Sequence, residues 1–201
     1  MINFLSFQIQ KLSPEHDLSD FCCGDTTDED DQELTNFLKE NALKEQLEQA
    51  NVSHVAIEKD TKKVIGYVTT LTDKLRVSTK EKGDMHLTSK YYDFPSIKVG
   101  RLAVDKNHEN KKVGTILLQF VRGLALESSE NVGCRFLIVD SYPKSVDFYL
   151  KNDFIKNLIQ DQRKTKIVKE NSEDEPIIDP KYSRDTISLR YDLLNPLKDT
   201  K

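Results

Sequence analysis

Residues 99–118, VGRLAVDKNHENKKVGTILL, carry an apolar run into a basic turn and then into a helical pattern opened by Gly114. A strand that feeds a helix N-terminus through such a turn presents free backbone N–H groups and positive charge to an anion. Downstream, Val146-Asp147-Phe148-Tyr149 and Phe154 bring aromatic side chains close together in the chain. The two segments together point to an enzyme that holds a phosphate-bearing cofactor and keeps a tyrosine near the reacting atoms.

The elements that must position these residues follow from periodicity. Residues 4–10 alternate weakly, through Leu5, Phe7 and Ile9, and read as an edge strand. An acidic run at 28–33 precedes a helix over about 31–49, where Leu34, Phe37, Leu38 and Ala42 share one face. Residues 53–58 and 64–71 read as hairpin strands joined at Lys59-Asp60-Thr61-Lys62. Residues 72–94 look like a long polar excursion closed by Pro95, and 97–104 form a strand. The helix over 114–128 buries Leu117, Phe120, Val121 and Leu124, with Val113 just before it. Residues 136–139 form an apolar run suited to a strand buried on both faces. Pro143 starts a short helix through Leu150, 154–159 read as a strand, and 186–192 as the last one. Residues 160–184 are highly charged and read as an insertion. The order predicts a single α/β (α+β) domain over 1–201, a mixed sheet of six to seven strands with helices on both faces. Its elaborations are a long loop at about 72–95 and a charged insertion at about 160–185.

Composition bounds the function. The chain has 201 residues, 37% hydrophobic and 32% charged, with net charge −4. That balance argues against a protein that coats nucleic acid generally. Three cysteines, Cys22, Cys23 and Cys134, do not make a disulfide framework and suit a reducing, cytoplasmic setting. No targeting signal and no apolar run of about 20 residues appears, so no membrane role is expected. His16, His54, His86 and His108 lack ligand spacing, and no metal is expected.

The residues around Gly114 resemble the GNAT acetyltransferase superfamily. That family's motif, Gln/Arg-x-x-Gly-x-Gly/Ala, aligns with Glu109-Asn110-Lys111-Lys112-Val113-Gly114, where Lys112 stands for the first glycine. The family's Asn-x-x-Ala-x-x-Phe-Tyr reads here Tyr142 through Tyr149, with Ser145 for Ala, and its Gly-Phe becomes Asp153-Phe154. Phe21-Cys22-Cys23-Gly24, 33–38 through Ala42, Gly66-Tyr67 and 100–105 are similar to a subgroup that includes toxins acetylating aminoacyl-tRNA. The resemblance implies acetyl-CoA as cosubstrate, bound in a splay between parallel strands 97–104 and 136–140. It assigns cofactor contacts to Leu102, Ala103 and Val104, to Glu109, Asn110, Lys111, Lys112, Val113, Gly114 and Thr115, and to Ser145. It assigns Tyr149 as the general acid for the leaving thiolate, since thiols have pKa about 8.5 and tyrosine about 10. The rival reading makes Tyr149 a core aromatic with its hydroxyl bonded to backbone.

No general base stands out. Glu58, Asp140 and His54 are candidates, each also readable as structural. A site without a base suits an α-amine, with pKa about 7.7–8.0, better than a lysine at about 10.4. The expected function is acetyl-CoA-dependent acetylation of a primary amine: an aminoacyl-tRNA, a peptide N-terminus or a small amine. Net charge does not favour tRNA, although Lys62–Lys63, Lys74–Arg76, Lys98–Arg101 and Arg163–Lys166 would have to form one stripe for it. Arg101 itself would meet phosphate or anchor a carboxylate, and Tyr91-Tyr92 would line an acceptor pocket or cover the sheet. A homodimer is left open. The alternative is a non-catalytic module that binds acetyl-CoA or a protein partner.

Overall fold

The computed structural model describes residues 6–159 and 186–194. The element order is β1 (Phe7–Lys11), α1 (Glu29–Asn36), a π-helical turn (Phe37–Asn41), α2 (Ala42–Leu47), β2 (Val52–Glu58) and β3 (Val64–Arg76). Then come α3 (Thr79–Asp84), β4 (Asp93–Val104), α4 (Val113–Asn131), β5 (Phe136–Ser141), α5 (Val146–Leu150), β6 (Ile155–Lys156) and β7 (Ile187–Asp192). Among the described residues, seven strands make one sheet in the order β1-β2-β3-β4-β5-β7-β6, and only β4 and β5 pair in parallel.

The expected sheet with helices on both faces is present, and three local expectations are corrected. The 72–95 excursion is ordered: β3 and β4 extend as a hairpin to the pair Arg76↔Asp93, with Pro95 inside β4, and α3 follows β3. Its helix is started by a reciprocal capping box between Ser78 and Glu81, which helix-period counting over six residues does not detect. The helix expected over 31–49 begins at Glu29, on the Asp28 cap, and widens into a π turn at Phe37. The strand expected over 154–159 shrinks to two residues, because Phe154 turns into the core and is 1% exposed. The charged insertion lies outside the described residues.

Sheet alternation sets the layers. On one face Val99, Leu137, Val139, Leu189 and Tyr191 pack against Val113, Leu117, Leu118 and Val121 of α4, with Val146 and Tyr149 of α5. On the other face Val55, Tyr67 and Ala103 pack under Phe37, Leu38 and Ala42. Phe136 and Ile138 pack there against Leu75 and Val77. Also on that face, Glu81 of α3 and Arg190 of β7 form a buried ion pair at 2.6 Å.

Gly100 breaks the alternation. The β3–β4 register steps from Thr70↔Val99 to Thr69↔Arg101, so Gly100 is a bulge residue. A Cβ there would lie 2.9 Å from Leu71 Cδ2, so only glycine fits without a shift. The bulge reverses the parity of the strand. Ile97 and Val99 face α4 before it, and Leu102 and Val104 face α4 after it, while Arg101 and Ala103 turn to the α1 side. A bulge also bends and over-twists its strand. The parallel pairing of β4 with β5 ends at Val99↔Val139, one residue before the bulge.

Candidate active site

Beyond Val99 and Val139 the two parallel strands part. β4 continues as 100–104 with β3 on one side and no ladder on the side of β5. Leu102, Ala103 and Val104, the residues assigned to the cofactor arm, form this free stretch. Their unpaired main-chain edge is what an extended ligand needs in order to add as a strand.

The strand then enters the turn that opens α4. Asp105 anchors it: its buried carboxylate accepts from the N–H of Cys22 and Asn107, the Asn107 amide and His108 Nδ1, at 3.0–3.2 Å. Burial alone would raise its pKa, but the bonds from His108, Asn107 and Cys22 outweigh it and hold the carboxyl below its usual range. Glu109, Asn110, Lys111 and Lys112 are exposed. The first intrahelical bond runs from the Ile116 N–H to the Lys112 carbonyl, 3.0 Å, and no side chain caps the helix. The N–H groups of Val113, Gly114 and Thr115 therefore stand without intrahelical partners at the positive end of a 19-residue helix. Lys111 and Lys112 make no ion pair among the described residues. Lys112 has φ +64° and Asn110 φ +60°. Lys112, at the first glycine of the motif, thus keeps the left-handed backbone that glycine takes freely. Asp153, which stands for the glycine before Phe154, also has φ +64°. Gly114 brings α4 close to α5: a Cβ there would sit 3.2 Å from Phe148 Cζ.

Tyr149 lies in the core on α5, 6% exposed, with edge-to-face contacts to Phe148 at 5.1 Å and Phe154 at 5.4 Å between centroids. Its hydroxyl makes no hydrogen bond to any described residue. Burial pushes its phenol well above the ordinary tyrosine range and keeps it protonated. Ser145, half-buried just before α5, has no cap bond from its side chain.

Two of the three candidate bases are engaged by other side chains. Glu58 accepts from Thr61 at 2.6 Å and lies 3.5 Å from His108, and Asp140 pairs with Lys98 at 2.6 Å. His54 is on β2 against the Phe120 ring, and burial lowers its pKa. Most of the described basic residues that would form a phosphate-binding stripe are matched to carboxylates: Lys63 to Asp20, Lys74 and Arg76 to Asp93, Lys98 to Asp140 and Arg101 to Glu33, while Lys62 is exposed. Residues 163–166 lie outside the described residues. Arg101 is thus the carboxylate anchor, donating to Glu33 Oε1 from Nη2 at 2.8 Å and from Nε at 3.2 Å, with its guanidinium 3.8 Å from the centre of the Phe37 ring. Tyr91 and Tyr92 are exposed, each beneath a lysine ammonium. Cys23 is buried, Cys22 donates its N–H to Asp105, and the three thiols are free. No cluster of three or more His, Cys, Asp or Glu that could hold a metal occurs among the described residues, and no helix there is long and apolar enough to cross a membrane.

Sequence reasoning missed Gly100 and Glu33. An isolated glycine in a strand pattern is a bulge signal and was available. Nothing in the spacing of Glu33, 68 residues before Arg101, pairs the two.

A family model described as an acetyltransferase (GNAT) domain matches residues 22–169. A Tyr-to-Phe mutant of KacT is 22% identical, with TM-score 0.72, over 95% of this chain and 97% of that one. AtaT complexed with acetyl-methionyl-tRNAfMet is 22% identical, TM-score 0.67, over 77% and 90%. AtaTR bound with AcCoA is 18% identical, TM-score 0.68, over 95% and 96%. At such identities these likenesses speak to the fold. With the family match over most of its length, the split sheet and the uncapped helix N-terminus, the chain belongs to the GNAT acetyltransferase family.

Proposed function

We propose that this domain binds acetyl-CoA in the split between β4 and β5 and transfers the acetyl group to an α-amine. The observation that carries this is the end of pairing at Val99↔Val139, which leaves 100–104 with a free main-chain edge beside a free helix N-terminus. In this reading the 100–104 edge pairs with the extended arm of acetyl-CoA, which supplies the thioester to be attacked. A backbone N–H of β4 donates to the thioester oxygen as charge develops there, a role worth about 2.7–4 kcal/mol where it has been measured. The N–H groups of 113–115, with Lys111 and Lys112, hold the diphosphate. Glu109, Asn110 and Ser145 border the same ligand. Tyr149 donates its proton to the departing sulfur.

The acceptor follows from what surrounds the site. Glu58 and Asp140 are engaged by Thr61, His108 and Lys98, and His54 is buried against the Phe120 ring, so in this reading the amine loses its proton to water. An α-amine does so about 2.5 pH units more readily than a lysine. The structural neighbours support this choice, one bound with AcCoA and one with acetyl-methionyl-tRNAfMet. The pairing of Lys63, Lys74, Lys98 and Arg101 with carboxylates supports an acceptor recognised by its amine and side chain, with few phosphate contacts.

The test has two parts. Saturating acetyl-CoA, at about 100 times Kd, should stabilise the fold by about 2.7 kcal/mol in a thermal-shift assay. Acetylation of methioninamide is then compared with that of Nα-acetyl-lysine amide at matched pH. Faster acetylation of the lysine probe rules out the α-amine assignment, and absence of any shift rules out the cofactor site.

A further inference from the structure

Where the sheet divides, no main-chain ladder joins its two halves; the Lys98–Asp140 pair sits at the last rung, and beyond it the Glu33 side chain reaches both strands. Glu33, near the end of α1, accepts from Arg101 through Oε1, at 2.8 and 3.2 Å, and from the Tyr142 hydroxyl through Oε2, at 3.0 Å. Arg101 lies on β4 two residues past its last pair with β5. Tyr142 lies three residues past the matching pair on β5, in the turn that leads to α5. A single carboxylate therefore spans the mouth of the split.

The carboxylate is itself held firmly. Phe37, one turn on from Glu33, lies under the Arg101 guanidinium and stacks on Tyr67 at 6.3 Å, 22° between planes. The Tyr67 hydroxyl donates to the Leu34 carbonyl at 2.7 Å. A second set of bonds continues the link, with Lys144 donating to Asp28 at 2.6 Å and to Asp31 at 2.9 Å. α1 is thus fastened to β3 and β4 on one side of the split and to the β5–α5 turn on the other. Four residues after Lys144 the chain presents Phe148, and then Tyr149.

We propose that Glu33 is a positioning residue for acetyl transfer: it sets the width of the split, and so the distance between a thioester on 102–104 and the Tyr149 hydroxyl. The proposal rests on the acetyl-CoA reading above. The Glu33 and Arg101 side chains are 32% and 28% exposed, so solvent screening keeps their pair's contribution to stability modest. What the pair supplies is geometry, to which a proton transfer at hydrogen-bond range is sensitive.

The experiment compares Glu33→Ala, Tyr142→Phe and Glu33→Gln with the natural protein, using acetyl-CoA and methioninamide. Calorimetry gives Kd for acetyl-CoA, and steady-state assays give kcat and KM. Glu33→Ala should lower kcat at least tenfold with Kd for acetyl-CoA changed less than threefold. Tyr142→Phe, which cuts one arm, should lower kcat by a smaller factor. Glu33→Gln keeps an acceptor for Arg101 and a donor for the Tyr142 oxygen, and should recover most of kcat. Hydrogen exchange should show faster exchange at 142–150 in Glu33→Ala than in the natural protein, each saturated with acetyl-CoA. If Glu33→Ala turns over at the natural rate, or loses kcat only in proportion to folded protein, the positioning role is overturned and the acetyltransferase reading stands. If the natural protein binds no acetyl-CoA, both are overturned.

Discussion

Tyr149→Phe separates the two roles open to this side chain, because they predict opposite signs. The residue packs in an aromatic cluster with 6% of it exposed, and no described residue bonds to its hydroxyl. A buried polar group without a partner costs about 1–3 kcal/mol. Residual water access puts this one at or below the lower end, so its removal should stabilise the fold by at most about 1 kcal/mol. In a domain of this size that is about 2–4 °C in Tm. If the hydroxyl is the proton donor, the same substitution should lower kcat by roughly 10²–10⁴-fold. That is about 2.7–5.4 kcal/mol of barrier, larger than the stability gain and unfavourable. Scanning calorimetry and steady-state acetylation of methioninamide on one preparation give both numbers, and calorimetric titration should show acetyl-CoA affinity unchanged. A kcat within threefold of the natural protein, or a Tm lowered by more than about 2 °C, refutes the reasoning. The first result would return Tyr149 to the core, and the second would mean that the hydroxyl has a structural partner.

Alkaline stability should also respond to Tyr149. Burial disfavours its phenolate, so the folded pKa lies above the unfolded value of about 10. The stability it contributes is fully present below pH 10 and is lost as pH rises toward the folded pKa, so Tyr149→Phe should flatten the alkaline limb of Tm against pH. Glu81→Ala should cost about 3–5 kcal/mol in urea unfolding, since it strands Arg190 in the core, and the Glu81→Leu/Arg190→Met double variant should recover much of that. At Glu81, burial pushes the pKa up but is outweighed by bonds from Leu158, Ser78 and Arg190, so the net shift is downward. Its contribution is therefore present above the unfolded value of about 4.3 and is lost on acidification, a slope that Glu81→Gln should remove. Lys112→Gly should stabilise by about 0.5–1 kcal/mol, the left-handed strain of about 1–2 less the added chain entropy of glycine, whereas Lys112→Val should destabilise by about 1 or more. Denaturant midpoints decide between strain and charge at that position.

Much of this molecule is legible along the chain. Helix α4, the hairpin of β2 and β3, and β5 follow from the 3.6- and two-residue periods of their apolar side chains, a local property. The turn before Gly114 and the Phe148-Tyr149 pair are local as well, and they carried the family resemblance. Lys112 and Asp153 look like departures until their backbone is seen, since a side chain's identity does not state its φ. Tertiary structure alone decided where β4 and β5 separate, because strand pairing joins residues far apart in sequence and the Gly100 bulge acts only against Thr69, Thr70 and Leu71 of its neighbour. It also decided that α3 is fixed by Glu81 to Arg190, 109 residues away, and that Glu33 reaches Arg101 and Tyr142. Each of these is a contact between side chains whose spacing carries no period, and only the folded sheet brings them within hydrogen-bond range.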